Sequence, residues 1–250
     1  METVIIKSTS KLKVNSPVFI AGLPGIGNVG KIAIDYLIEK LEAKKIADLF
    51  SSHLPPQVMI TDNSRARLVR NELYFKRLGK RDYLFFTGDF QGLTSQGQYD
   101  ISYSILDYVT KFNPKLIITL GGYQIGKLVE VPRVLGAYTS EDAKEKLEGL
   151  GVVFSKNEPG GGIIGGAGLL IGLGYEIFNV EGVCLMGETS GYFSDPKSAK
   201  QVVSVLTKFL NLNIDIKDLE DRAKEIDELT NKMMELPSNE EKKEDLGYFG

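Results

Sequence analysis

A glycine-rich stretch near residue 25 has the residue types and spacing of a nucleotide-binding loop. Gly25, Gly27 and Gly30 follow the pattern G-x-G-x-x-G, in which glycines let the backbone approach a pyrophosphate. Gly25, Gly30 and Lys31 also complete most of G-x-x-x-x-G-K, whose amides and lysine hold phosphates. An apolar run precedes the stretch and an apolar-periodic segment follows it, which predicts a strand, a tight loop and a helix.

Each nucleotide pattern lacks a part that its chemistry needs. Asp48 lies at the sequence distance at which an acid holds a ribose hydroxyl, but no residues for a hydride-transfer substrate accompany it. Ile32 stands where a P-loop needs a hydroxyl for magnesium. A second copy, at 121–127, has Leu128 at the same position. Glycine-rich strand ends explain two defective copies more simply than two nucleotide sites do.

The stretch near residue 25 and the second copy at 121–127 are still expected to lie at the same edge of the sheet. In α/β folds, ligands bind at the carboxyl ends of parallel strands. Backbone N–H groups at such an edge could attract an anion. The ligand-pocket candidates are Gly22, Pro24, Gly25, Gly27, Asn28, Lys31, Gly121, Gly122 and Glu188.

The sequence gives little support to a hydrolase or a metal-dependent enzyme. No catalytic residue, metal site or cofactor is predicted. The serine nucleophile pattern G-x-S-x-G is absent, since Leu93 replaces the first glycine before Ser95. His53 is the only histidine and Cys184 the only cysteine, which excludes sites built from several of either. Cys184 lies in an apolar run and is expected to be buried.

Five acids near predicted strand ends could form carboxylate pairs, although solvated loop acids are the simpler interpretation. They are Asp89, Asp100, Glu130, Glu158 and Glu188.

Composition narrows the class of protein further. The chain has 250 residues, 42% of them hydrophobic, and a net charge of -3 with scattered basic residues, so nucleic acid is not an expected partner. The beginning of the sequence does not read as a signal peptide. The most apolar region, 160–174, is short and interrupted by glycine, so no membrane span is predicted. A cytoplasmic protein is therefore expected.

Strands alternate with helices along the chain, which predicts an α/β fold with a largely parallel sheet covered on both faces. A β meander at 57–78 predicts that the sheet is mixed. Strands are predicted at 4–6, 18–21, 44–50, 83–87, 115–120, 134–138, 152–154 and 183–186. Helices are predicted from Asn28, as N-cap, to about Leu41, and at 97–112, 140–149, 165–174 and 196–210.

The last part of the chain has a different character. We divide the chain into a domain at 1–212, a helix at 213–237 and a mobile, charged tail at 238–250. Leu219, Ile226 and Met233 recur at seven-residue spacing, which suits packing on the same domain or a contact between subunits. The two aromatic residues near the tip of the tail, Tyr248 and Phe249, are expected to dock on a partner or to pack back onto this chain or its own oligomer.

Several stretches have distinctive sequences in a consistent order: 22–30, Gly121-Gly122-Tyr123 (read as a turn), 158–174, Gly187-Glu188-Thr189-Ser190-Gly191-Tyr192 and Asp195-Pro196-Lys197. Together they resemble the archaeal branch of the proteasome assembly chaperone family. The resemblance implies a three-layer α/β/α sandwich, similar to phosphorylase-like or peptidyl-hydrolase-like folds, without an established catalytic site. It also implies homo-oligomers that bind proteasome subunits. Related sequences are sometimes labelled ATP-grasp enzymes.

Some proteasome-binding members end in a hydrophobic–Tyr–any tripeptide. This chain departs from that pattern, since Tyr248 is third from the end and follows Gly247. The resemblance makes Tyr248, Phe249 and Gly250 the partner-binding candidates. Two hypotheses follow: a non-enzymatic proteasome assembly chaperone-like protein, or an enzyme or ligand-binding protein with a phosphate- or nucleotide-type pocket at the glycine-rich strand ends.

Overall fold

The computed structural model describes residues 3–9, 13–156, 158, 160–219 and 221. Its strands are β1 (Val4–Ser8), β2 (Val18–Gly22), β3 (Lys44–Ser51), β4 (Val58–Ile60), β5 (Ala66–Leu68), β6 (Asn71–Leu78), β7 (Arg81–Gly88), β8 (Leu116–Gln124), β9 (Val134–Tyr138) and β10 (Gly182–Thr189). Its helices are α1 (Val29–Lys40), α2 (Ser95–Thr110), α3 (Glu141–Glu148), α4 (Gly166–Glu176) and α5 (Pro196–Leu210).

Eight strands form one mixed sheet in the order β1-β3-β6-β7-β2-β8-β10-β9. The four strands β7, β2, β8 and β10 are parallel to one another, and the remaining ladders are antiparallel. The predicted mixed α/β sheet is confirmed. Its parallel part is smaller than expected, because β6 pairs antiparallel with both β3 and β7, and β9 runs against β10.

Two helical layers cover the sheet, which makes the molecule the predicted three-layer α/β/α sandwich. Adjacent residues of each central strand face opposite layers, as the two-residue period of a strand requires. On β2, Ile20 packs in the core with α1, α3 and α5, whereas Phe19 packs in the core with α2 and α4. On β10, Leu185 packs in the core with α1, α3 and α5, and Cys184 packs in the core with α2 and α4. Strands buried on both faces explain the continuous apolar runs in the sequence.

The predicted burial of Cys184 is confirmed. The residue has no exposed surface, and burial raises the pKa of its thiol to about 12.

Two sequence predictions need correction. The segment 152–154 forms only an isolated bridge between Leu135 and Val153, so it is not a strand of the sheet. The meander is also divided, because β4 and β5 pair as a separate two-stranded ribbon while β6 joins the main sheet. Neither outcome could be read from local patterns, because strand membership depends on pairing with distant residues.

The described part of the chain beyond α5 packs on the same domain. Leu219 is fully buried in the core beside α1 and α5. The hydroxyl of Tyr36 on α1 donates to the carbonyl of Asp215 at 2.5 Å, and Lys40 pairs with Asp218. The rest of the predicted heptad helix and the tail lie outside the described residues. Among those described, no helix is both long and apolar enough to cross a membrane.

Three glycines let the start of α1 lie directly against the sheet. A Cβ on Gly30 would lie 2.2 Å from the carbonyl oxygen of Leu120 on β8, and one on Gly22 would lie 2.2 Å from the carbonyl oxygen of Gly30. A Cβ on Gly122 would meet the carbonyl oxygen of Ile26 at 2.2 Å. These distances are far inside van der Waals contact, so only glycine fits without moving backbone.

We expect Gly30→Ala to lower the free energy of unfolding by about 1–3 kcal/mol, because the added methyl group overlaps a backbone carbonyl that cannot rotate away. Gly172→Ala is the matched control, since it also replaces a helical glycine and its Cβ would meet no atom within 4 Å. The control should gain about 0.5–1 kcal/mol from helix propensity. Urea unfolding of both variants measures the difference, and equal effects would contradict this packing.

Candidate functional site

A pocket of about 410 Å³ opens at the carboxyl ends of β2 and β8. Three of the predicted candidates, Gly25, Gly121 and Gly122, line it. None of the lining residues that the structure describes carries a charge; the others are Ala21, Leu23, Ile26, Gly30, Gln91, Leu120, Tyr123, Gln124, Gly162, Ile163, Ile164, Gly166, Ala167, Leu170 and Met186. The site is therefore an apolar pocket with a few neutral polar groups.

Gln91 holds two walls of the pocket together. Its side-chain amide donates to the carbonyl of Pro24 at 2.6 Å, and its side-chain oxygen accepts from the backbone N–H of Gly166 at 2.9 Å. One carboxamide thus ties the loop after β2 to the first turn of α4. Sequence analysis missed Gln91, because no local pattern connects it to partners 67 and 75 residues away.

Two further pocket candidates, Lys31 and Gly27, contact residues outside the pocket. Lys31 pairs with Asp35 one helical turn later, and it does not line the pocket. Gly27 adopts φ 59° and packs against the side chain of Thr189. The cation that a phosphate loop would offer to its ligand is therefore bound to a carboxylate of its own helix.

Asn28 occupies the predicted N-cap position of α1 but does not cap the helix with its side chain. Its backbone is left-handed, with φ 50°, and its amide donates to the hydroxyl of Ser194 at 3.2 Å. The carbonyl of Gly27 accepts from the N–H of Asp195 at 2.8 Å. The loop before α1 is thus fixed by the loop before α5.

Gly121 and Gly122 are part of a strand and do not form the expected turn. β8 continues through both to Gln124, and they pair with Met186 and Gly187 of β10. Both residues therefore extend β8 alongside β10 and do not form a separate phosphate-binding loop.

Asp48 is also placed away from the pocket. Its strand, β3, is separated from β2 by β6 and β7 in the sheet, whereas a ribose-binding acid needs the neighbouring strand. Lys45 and Arg70 contact its carboxylate at 3.0 and 3.2 Å. Asp48 is therefore not placed to hold a ribose at the end of β2.

Glu188, at the end of β10, belongs to a separate ion-pair cluster. The Arg133 side chain donates to its carboxylate through Nε at 2.8 Å and also through Nη2. The Arg133 backbone N–H donates to the same carboxylate at 3.0 Å. Arg133 also reaches Glu158 at 3.3 Å, which links β10 to the segments before β9 and α4.

Burial and hydrogen bonding act in opposite directions on Glu188. The carboxylate is 4% exposed, and this burial by itself disfavours the charged form. The hydrogen bonds and charge of Arg133 outweigh it and hold the pKa of Glu188 below its usual range. The same contact, followed by that with Glu158, raises the pKa of Arg133. Glu188 is therefore a buried, ionised anchor.

Two of the other acids, Asp89 and Asp100, are occupied by partners as well. Asp89 accepts two hydrogen bonds from Arg67, at 2.6 and 2.8 Å. Asp100 lies 2.9 Å from the ring Nε2 of His53 and accepts from Gln96 at 2.8 Å. Among the residues that the structure describes, no group of three or more His, Cys, Asp or Glu side chains is placed to hold a metal ion.

We expect Glu188→Gln to destabilise the fold by about 1–3 kcal/mol at pH 7, because a buried charge-assisted hydrogen-bond pair is lost. Glu158→Gln is the matched control: it removes a partner of the same arginine at an exposed site, so its cost should stay within about 0.5 kcal/mol.

The difference in the free energy of unfolding between wild type and Glu188→Gln should depend on pH. A carboxyl whose folded-state pKa is depressed adds stability above its ordinary pKa, 4.5 for this group, and loses that stability as the pH falls through the folded value. Urea unfolding should therefore give a difference in the free energy of unfolding that is constant near neutral pH. Below about pH 4.5 this difference should decrease as the pH falls. A difference that persists unchanged in acid would show that the charge is not its source.

A match to the PAC2 family model extends over residues 19–234 of this chain. The uncharacterized protein MJ1210 of Methanocaldococcus jannaschii is 35% identical over 239 residues, which cover 92% of this chain and 91% of that protein.

Solved structures from Pyrococcus furiosus are similar along the whole fold. PbaB, described as an archaeal proteasome activator, is 42% identical with a TM-score of 0.89, over 94% of this chain and 100% of its own. PbaA, described as an archaeal homolog of proteasome-assembly chaperone, is 31% identical with a TM-score of 0.73, over 92% of this chain and 96% of its own. The family that the glycine-rich motifs indicated is thus confirmed, and the chain belongs to the PAC2 family.

Proposed function

We propose that this chain is a non-enzymatic, cytoplasmic proteasome assembly chaperone-like protein that binds proteasome subunits as a homo-oligomer. The observation that carries the proposal is the likeness to PbaB over nearly the whole of both chains. The likeness to PbaA, which is related to proteasome-assembly chaperones, points to the same class of partner.

The geometry of the carboxyl-edge pocket is consistent with this function. Its lining, as far as the structure describes it, has no charged side chain, and the candidate lysine Lys31 is paired with Asp35. A phosphorylated ligand would need cations or free backbone N–H groups there. Binding a neutral or apolar group suits this surface better than binding a nucleotide.

The partner contact is assigned to the aromatic tip of the tail, Tyr248 to Gly250. These residues lie outside those that the structure describes. Aromatic side chains supply large contact areas and are enriched among the residues that dominate protein–protein binding. The charged residues before them, Glu240 to Asp245, would remain in water at the edge of such a contact.

Pull-down of purified proteasome α subunits at low salt tests the contact. The full chain should retain them, and the double variant Tyr248→Ala/Phe249→Ala should bind about tenfold or more weakly, as loss of a central aromatic anchor does. Asn239→Ala is the matched control within the tail and should bind like wild type. If the full chain retains no α subunit, the proposed function is wrong. Equal retention by all three proteins would place the contact outside the tail.

Sedimentation velocity tests self-association separately. We expect the full chain to sediment as a species larger than its 27.6 kDa monomer at micromolar concentration. A chain ending at Asn211 is the informative comparison, because it removes the segment that contains Leu219 and the heptad positions. A monomeric full chain would contradict the homo-oligomer.

A further inference from the structure

Exposed apolar side chains surround the carboxyl-edge pocket. The parallel strands β7, β2, β8 and β10 all end at this edge, and the connections that follow them carry large apolar residues in water. We call the apolar rim the exposed apolar side chains that line the pocket or lie on the loop fixed beside it; they are Ile26, Ile164, Tyr192 and Phe193. Their exposed fractions run from 45% for Ile26 to 99% for Ile164.

Direct contacts tie the rim to the pocket. Ile26 and Ile164 line the pocket themselves. The connection that carries Tyr192 and Phe193 is fixed to the loop before α1 by the bond between Asn28 and Ser194. Rim and pocket together therefore form one apolar surface with a depression in it, and such surfaces on soluble proteins are characteristic of binding sites.

We propose that this surface binds residues Leu246 to Phe249 of the same chain. The segment Leu246-Gly247-Tyr248-Phe249 contains no charged side chain, which matches a pocket lined without charge. The eight residues before it, Ser238 to Asp245, include six charged ones, so only the tip fits an apolar site. An aromatic ring in a preformed apolar depression is the usual geometry of an anchor residue.

The tip can reach the pocket from where the described chain stops. The segment that ends at Asp221 packs beside the last turns of α1, because Tyr36 and Lys40 hold Asp215 and Asp218. α1 runs from the pocket to that point over 12 residues, which corresponds to about 18 Å. The 25 residues from Asp221 to Leu246 span up to about 80 Å when extended.

Docking of the tip in its own chain has a regulatory consequence. It covers the apolar rim and withholds the aromatic residues from other proteins until a stronger site competes for them. The inference concerns the isolated protein and does not depend on proteasome binding.

Isoleucine δ1-methyl NMR of the full-length protein tests the inference, because Ile26, Ile163 and Ile164 line the pocket. Aromatic rings seated there shift nearby methyl resonances upfield. We expect these three resonances to move back in the full-length double variant Tyr248→Ser/Phe249→Ser, while Ile60, on the separate β4–β5 ribbon, stays unchanged and reports an intact fold. Identical pocket resonances in wild type and variant would overturn the inference.

A labelled sample of the same double variant mixed with unlabelled wild type distinguishes docking within a chain from docking between copies. We expect no shift in the labelled protein. A wild-type-like shift there would show that the tip binds a second copy, which overturns docking within the chain.

Titration of the double variant with a synthetic peptide spanning Asp245 to Gly250 measures the site itself. The peptide should shift the pocket methyl resonances, and Ile164→Asp in the double variant should weaken its affinity roughly threefold to tenfold. Ile60→Asp is the matched control, since Ile60 is also an exposed isoleucine, at 67%. Shifts absent from the pocket, or equal loss in both Asp variants, would contradict this site.

Discussion

The contact of α1 with the sheet, backbone against backbone, is the constraint on which the rest of this edge depends. Gly22, Gly30 and Gly122 leave room for carbonyl oxygens where any other residue would place a Cβ. This close approach brings the loop before α1 beside β8 and the end of β10, where Thr189 packs against Gly27. The glycines that resemble a nucleotide loop are thus used to pack one part of the chain against another.

Polar side chains then fix the connections around that contact. Gln91 ties the loop after β2 to α4, and Arg133 ties β10 to the segment around Glu158. Glu188 is buried and ionised because Arg133 satisfies it. A buried carboxylate such as Glu188 is costly when unpaired, so its contacts with Arg133 specify one arrangement of these loops.

What remains open to a ligand at this edge is mostly apolar. The charged candidates are bound to partners, and the pocket presents glycine backbone, aliphatic side chains and carboxamides. Such a surface suits a neutral or apolar group from a protein better than a phosphate. The chain belongs to the PAC2 family, and the proposed binding of proteasome subunits would be a contact between protein surfaces.

Local patterns in the sequence were sufficient for the principal helices and the central strands. α1 and α5 follow from apolar periodicity, and the Pro196 start of α5 with Asp195 as its cap is visible in the sequence. Burial of Cys184 follows from the apolar run around it. The distinctive glycine-rich motifs were also sufficient to indicate the family. These features depend on residues a few positions apart, which is the range over which sequence patterns carry information.

Tertiary structure alone decided how the candidate residues are used. The order of strands separates Asp48 from β2, and pairing with β10 makes Gly121 and Gly122 part of a strand. The partners of Gln91 and Glu188 lie 55 to 75 residues away, so no local pattern could identify them. The sequence by itself determined the helices, the central strands and the family. The function of each glycine and each charge depended on which distant segment the fold placed against it.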